Sequence, residues 1–309
     1  MFKSNWEKAD TQYQLPEHLI EQMVKLAYPT KKLISRELIS GGCANLNIKI
    51  QLKDDALPLI LRIYLRSPDA AYLEQEIGDL LKAQIPVPMT HYVGDVDGYR
   101  FAITEFLPGI TLRELLLGGL PHDKSAIMYE VGQILAKIAS CPFPRVENEY
   151  SNFAQECLES EDIKQQLTSE TISKITHYFH KYANLLTSKD NHLVHRDFDP
   201  ANILVSNVNN NWVITAVLDW EFAFSGSILW DIANMLRYAH KMPPEFQDSF
   251  LLGLKDRGIY LPDNWHISTM MLNIISLLDC LKRSGLQNNQ GKRLDICELI
   301  DYFIGKLDN

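Results

Sequence analysis

Apolar and polar residues follow two rhythms along this chain, with a marked change near residue 108. Leu19, Met23, Leu26 and Ala27 recur at helical spacing between Pro16 and Pro29, which predicts an amphipathic helix over 17–27. Residues 32–39 and 46–52 predict strands; in the second segment Leu46, Ile48, Ile50 and Leu52 alternate with Asn47, Lys49 and Gln51. Residues 59–65 predict a third strand and residues 69–84 a helix. Strands at 89–94 and 99–106 are joined by an Asp97-Gly98 turn. Beyond Pro108-Gly109, helical spacing takes over at 111–117, 123–140, 168–187, 244–257, 266–285 and 291–306, whereas 141–167 is polar and irregular. The pattern predicts an α+β chain: an antiparallel sheet lobe with one main helix over residues 1–107, then a mostly helical lobe over 108–309.

One stretch breaks the helical half. Ile203-Leu204-Val205 and the β-branched run from Trp212 to Leu218 flank a Ser/Asn cluster, Ser206 to Asn211, which predicts a β-hairpin. Counting outward from a midpoint between Asn210 and Asn211 sets Asn202 opposite Asp219 at the open end. Asp197 and Asp199 lie just upstream. Such an acidic and amide cluster is costly unless a cation offsets it, and Mg²⁺ is suited to it because it binds carboxylate oxygens together with substrate phosphates.

Arg62 interrupts the apolar run Leu59 to Leu65, and a buried cation must be paired or functional. On the following helix, Glu74 and Glu76 flank the apolar stripe of Leu73, Ile77, Leu80 and Leu81 at similar angles, so periodicity leaves the partner of Arg62 open. Between the first two strands, Ser40-Gly41-Gly42-Cys43-Ala44-Asn45 contains two glycines that let the backbone approach a ligand.

The spacing His195-Arg196-Asp197 followed by Asn202, with Leu218-Asp219-Trp220 beyond, resembles the aminoglycoside phosphotransferase family of kinase-like enzymes, which includes choline and ethanolamine kinases. The resemblance runs through motifs over roughly residues 33–240. It implies a bilobal protein-kinase-like fold acting on a small-molecule hydroxyl, with ATP or GTP as phosphate donor and Mg²⁺ as cofactor. On this resemblance Asp197 is the catalytic base, and Asn202 and Asp219 hold the metal. Gly41, Gly42, Asn45 and Arg62 hold the phosphates, Glu76 is favoured over Glu74 as the brace of Arg62, and the backbone near Glu105 and Leu107 binds the base. Asp199 is expected to face the substrate, with His195 and Asp231 supporting the loop; Asp231, at the start of a helix, is also placed to cap it. Arg at position 62 departs from the usual Lys, and Trp220-Glu221 follows the metal aspartate where protein kinases have Phe-Gly. The space before Asp231 is too short for a long activation loop, which argues against a protein substrate.

Charge and composition narrow the field further. The 309 residues carry a net charge of −9, which argues against nucleic acid as a partner. Five cysteines without a C-x-x-C pair predict reduced thiols, and no apolar run reaches membrane-spanning length. The expectation is a cytoplasmic enzyme without membrane or nucleic-acid partners, either a monomer or a homodimer.

Overall fold

The computed structural model describes residues 1–4, 6, 15–39, 45–143, 150–186, 190–284 and 290–308. The chain divides into two compact units: Glu7–His122 with Pro200–Ala223, and Met1–Trp6 with Asp123–Asp199 and Phe224–Asn309.

The first unit is built on a five-stranded antiparallel sheet. In chain order its elements are helix α1 (Glu17–Ala27), strands β1 (Leu33–Ile39), β2 (Leu46–Leu52) and β3 (Leu59–Tyr64), helix α2 (Ala70–Leu81), and strands β4 (Thr90–Val96) and β5 (Tyr99–Glu105). The sheet order is β1-β2-β3-β5-β4. Alternation gives the sheet two different faces. Leu46, Ile48, Ile50, Leu52, Leu61, Ile63, Phe101 and Ile103 point to one side and pack with Ile20, Met23 and Val24 of α1 into a dry core. Ile60, Arg62 and Tyr64 point to the other side, where Tyr64 packs with Ala70 and Ala71 of α2 and with Ala102. A cavity is left on the face that carries Arg62, opposite the dry core.

The sequence pattern points to a cut after Leu107, but by contacts the first unit runs on to His122 and takes in Pro200–Ala223. Backbone pairing accounts for this: Ile110 and Thr111 pair with Val205 and Leu204. The Pro108 carbonyl also accepts from Ser206 Oγ at 3.1 Å and Thr215 Oγ1 at 3.3 Å. Gly109 makes the approach feasible. Its φ is +152°, and an added Cβ would lie 2.8 Å from the Val205 carbonyl oxygen.

The predicted hairpin is present as Ile203–Val208 and Asn211–Val217, but its register differs from the simple count. The turn is Asn209-Asn210, both with positive φ, one residue earlier than the count assumed. The pairs then run Val205↔Ile214 and Leu204↔Ala216, so Thr215 is an extra residue and the register shifts there. Asn202 therefore stands opposite Leu218, whose N–H donates to the Asn202 carbonyl at 2.8 Å, and Asp219 follows one residue later.

The second unit is mostly helical. Its predicted helices appear as Lys124–Ala139, Ser169–Lys181, Glu245–Lys255, Trp265–Ser284 and Gln290–Leu307. The stretch read as irregular holds two more, Tyr150–Glu159 and Glu161–Lys164, which bury Ala154, Cys157, Leu158 and Ile163. A short antiparallel ladder, His192–Val194 with Phe224–Gly226, carries the chain into the His-Arg-Asp segment.

Candidate active site

In the first unit, a cavity of about 490 Å³ lies on the polar face of the sheet, within the size range of small-molecule pockets. Its lining includes Asn47, Arg62, Glu74, Asn202 and Asp219, with Glu105 and Leu107 also on its wall. Asn202 and Asp219 thus share one cavity despite the shifted register. Asp219 adopts a left-handed backbone, φ +69°, at the step into the turn Trp220–Phe222. Gly41 and Gly42 lie outside the described residues; Asn45, at the end of that connection, donates from Nδ2 to Glu221 Oε2 at 3.0 Å. Glu105 accepts from the Met89 N–H at 3.2 Å and donates its own N–H to the Met89 carbonyl at 2.9 Å.

Arg62 is the electrostatic centre of this cavity. Its Nη2 lies 3.1 Å from Glu74 and 4.0 Å from Glu221, and it also pairs with Asp219. Burial disfavours its charge, yet Glu74 and Asp219 hold the guanidinium's pKa well above its ordinary value. Glu76, which the resemblance favoured as the brace, is exposed on α2, and Glu74 takes the role. The helix explains the difference. Its buried face is made by Ala70, Ala71, Ile77, Gly78 and Leu81; Glu74 lies three or four residues from each of the first four, whereas Glu76 faces away. Leu80, counted in the apolar stripe, is partly exposed. Glu74 also accepts from the Tyr64 hydroxyl and the Trp220 N–H. Its own pKa is raised, because burial and the Asp219 charge outweigh Arg62 and these hydrogen bonds.

The Asp-x-Glu step from Asp219 brings in a carboxylate that the motif reading passed over. Glu221 is 8% exposed, and burial followed by the Asp219 charge pushes its pKa up to about 7. Three carboxylates, Glu74, Asp219 and Glu221, thus surround one guanidinium, a local excess of negative charge that suits a divalent cation. Asn47 Oδ1 and Arg62 Nε, on the cavity wall, are buried without a hydrogen-bond partner. Among the described residues no cluster of three His, Cys, Asp or Glu groups forms a complete protein-only metal cage. An oxygen pair that shares its metal with substrate phosphates needs none.

In the second unit, the segment His195 to Asp199 is held by the helix Leu229–Leu236. Asp231 does not cap its own helix. Its two carboxylate oxygens instead accept from the His195 and Arg196 N–H groups, each at 2.8 Å. Asn234 Nδ2 donates to the Arg196 carbonyl at 2.6 Å. Arg196 needs this support, because its φ of +68° is an unfavourable region for a long side chain. Arg237, fully buried, fixes Asn234 in turn and donates to Asn273 at 2.8 Å. His195 is also buried, and its Nδ1 accepts from the Asp197 N–H at 3.2 Å, which suits a support rather than a proton carrier. Burial pushes Asp231 up to about 7 against the pull of its two backbone donors.

Asp197 and Asp199 both meet an ammonium group from the start of the chain, Lys3. Burial alone would raise the pKa of Asp197, but Lys3 beside it holds the carboxyl down at about 2. No motif pointed to Lys3, Asn234 or Arg237; a polar residue at helical spacing after Asp231 was the only available sign of the last two.

Solved structures alike over nearly the whole chain identify the class as a phosphotransferase fold of the protein-kinase type. The GDP complex of aminoglycoside 2'-phosphotransferase-IIIa is 17% identical, with a TM-score of 0.74 over 95% of this chain and 100% of that one. Aminoglycoside phosphotransferase APH(4)-Ia is 18% identical, with 0.71 over 94% and 99%. Choline kinase LicA from Streptococcus pneumoniae is 16% identical, with 0.70 over 94% and 99%. The chain belongs to the phosphotransferase enzyme family (APH), whose family model matches residues 35–266. It is a small-molecule kinase of mixed α+β architecture. No curated protein matches its sequence significantly. Among the described residues no helix is long and apolar enough to cross a membrane.

Proposed function

We propose that this enzyme transfers the γ-phosphate of ATP or GTP, carried as its Mg²⁺ complex, to a hydroxyl of a small molecule such as an aminoglycoside or a choline-like amino alcohol. The observation that carries this reading is the shared cavity of Asn202, Asp219 and Arg62, in which two oxygen ligands stand beside a guanidinium. Bound Mg²⁺ would neutralise charge on the phosphates as the transferred group departs. Asn202 and Asp219 would hold that metal on the nucleotide. Arg62, braced by Glu74, grips phosphate oxygens through its planar fork. The backbone near Glu105 and Leu107 receives the base, and Asn45, Gly41 and Gly42 are assigned to binding the phosphates. Asp197 receives and orients the acceptor hydroxyl and takes its proton, with Asp231 and His195 fixing the loop that presents it. Much of its contribution is alignment, because a carboxylate this acidic is a weak base. Related structures support the donor and acceptor classes: APH(4)-Ia was solved with AMP-PNP and hygromycin B, and the 2'-phosphotransferase with GDP.

The test uses labelled ATP and GTP against a panel of aminoglycosides, amino alcohols and sugar metabolites. Transfer should appear for one acceptor class and vanish in Asp197→Ala, while a nucleotide-induced rise in melting temperature persists. An Asp197→Ala variant with wild-type transfer would remove Asp197 from the mechanism, and a protein that no nucleotide stabilises would remove the donor.

A further inference from the structure

The segment Met1–Trp6 is seated in the second unit at three points. Phe2 is 1% exposed and packs edge-on against Tyr238, with ring centroids 5.4 Å apart, and against Phe246 at 5.8 Å. Trp6 Nε1 donates to Asp295 at 2.9 Å, and Tyr238 donates to the same carboxylate. Between these anchors the Lys3 ammonium reaches Asp197 Oδ1 and lies 2.5 Å from Asp199 Oδ2. The two carboxylates differ in burial: Asp199 is 4% exposed, whereas Asp197 keeps 26% of its side chain open.

We propose that Lys3 is an internal competitor for the acceptor: its ammonium occupies the carboxylate pair that must receive the acceptor, and Lys3 has to leave before phosphate is transferred. The inference rests on Asp197 being the residue that receives the acceptor hydroxyl. Two physical consequences support it. A hydroxyl can donate to Asp197 only through oxygen lone pairs, and the ammonium already engages Oδ1. A cation at that distance also makes the carboxylate a poorer proton acceptor, the reverse of what a base requires. A purely structural lysine would fit best where both carboxylates are sealed from solvent, but Asp197 is not sealed. Phe2, one of the two aromatic anchors, is next to Lys3 in the chain, so seat and plug belong to one short segment.

The experiment measures acceptor-free hydrolysis of Mg-ATP and Mg-GTP by the full chain, because Asp197 Oδ1 can accept a proton from water once the ammonium leaves. Lys3→Ala should raise the rate by roughly 5-fold or more, as expected when a blocked state dominates the resting population. Lys3→Arg, which keeps the cation, should stay at the wild-type rate. Phe2→Ala, which loosens the anchor and spares the charge, should rise with Lys3→Ala and provides an independent reading if that variant folds poorly. Adding Asp197→Asn to Lys3→Ala should return the rate to background. A Lys3→Ala rate at or below wild type, with transfer to an acceptor still lost in Asp219→Asn, overturns the competitor role and leaves the phosphotransferase reading standing. A Lys3→Ala rate no faster than that of Lys3→Ala with Asp219→Asn, together with no transfer to any acceptor in the panel, would overturn both.

Discussion

Arg62 and Glu74 form an ion pair at 3.1 Å, buried to 13% and 11% side-chain exposure, on the cavity face of the sheet. Glu74→Ala leaves Arg62 paired with Asp219 but takes a buried acceptor from the Tyr64 hydroxyl and the Trp220 N–H. It should destabilise the protein by about 1–3 kcal/mol and, by loosening Arg62, weaken nucleotide binding about tenfold. Glu76→Ala, at an exposed position, should stay within about 0.5 kcal/mol of wild type. Chemical denaturation and nucleotide titration of the two variants check both expectations.

Gly109 tests how the chain beyond Leu107 is tied to the hairpin. Alanine there must adopt φ +152° with its Cβ 2.8 Å from the Val205 backbone oxygen. Gly109→Ala should cost about 1–3 kcal/mol, read as a lower melting temperature.

Glu221 gives a pH signature. Its folded pKa, about 7, lies above the unfolded value, so the folded state binds more protons between the two. Stability linked to this group is full at low pH and is lost as pH rises through about 7. Glu221→Gln keeps an acceptor for Asn45 and removes the charge. It should match wild type near pH 5 and exceed it by on the order of 1 kcal/mol near pH 8.5. Melting curves at the two pH values decide.

Asp231 behaves with the same sign: its pKa is raised to about 7 by burial, so its ionisation costs stability as pH climbs from about 4 through 7. Asp231→Asn loses one of the two acceptors that hold His195 and Arg196, and should be less stable by about 1–3 kcal/mol at low pH. The deficit should narrow by pH 8, because the variant lacks the ionisation penalty. Transfer should fall sharply at both pH values, because Arg196 is then free to leave its left-handed conformation. Denaturation and turnover measured together separate the two effects.

The strands and most helices were legible because their apolar periods are regular; β2 alternates without a break. Tyr150–Glu159 was not, because its buried positions are Ala154, Cys157 and Leu158 amid polar neighbours, too weak a stripe for periodicity to register. Helix α2 stayed ambiguous for a related reason. Its inner face adds the small residues Ala70, Ala71 and Gly78 to Ile77 and Leu81, and a count of large apolar side chains does not register them. Glu74 and Glu76 therefore looked equivalent, and the family resemblance, not the periodicity, chose Glu76. The shared wall of Asn202 and Asp219 was foreseen even though the hairpin count missed a bulge at Thr215, because one residue of slip at a strand end still leaves both in the same cavity. Lys3 was out of reach: its partners are 194 and 196 positions away, and no local pattern encodes such a distance.

Helix α1 covers what would otherwise be a greasy plate. Ile20, Met23 and Val24 press on Ile48, Ile50, Leu61 and Phe101, and among the described residues no other helix contributes to that cluster. A shortened protein starting at Thr30 would bare that plate to water, and it should clump during expression instead of yielding a trimmed enzyme.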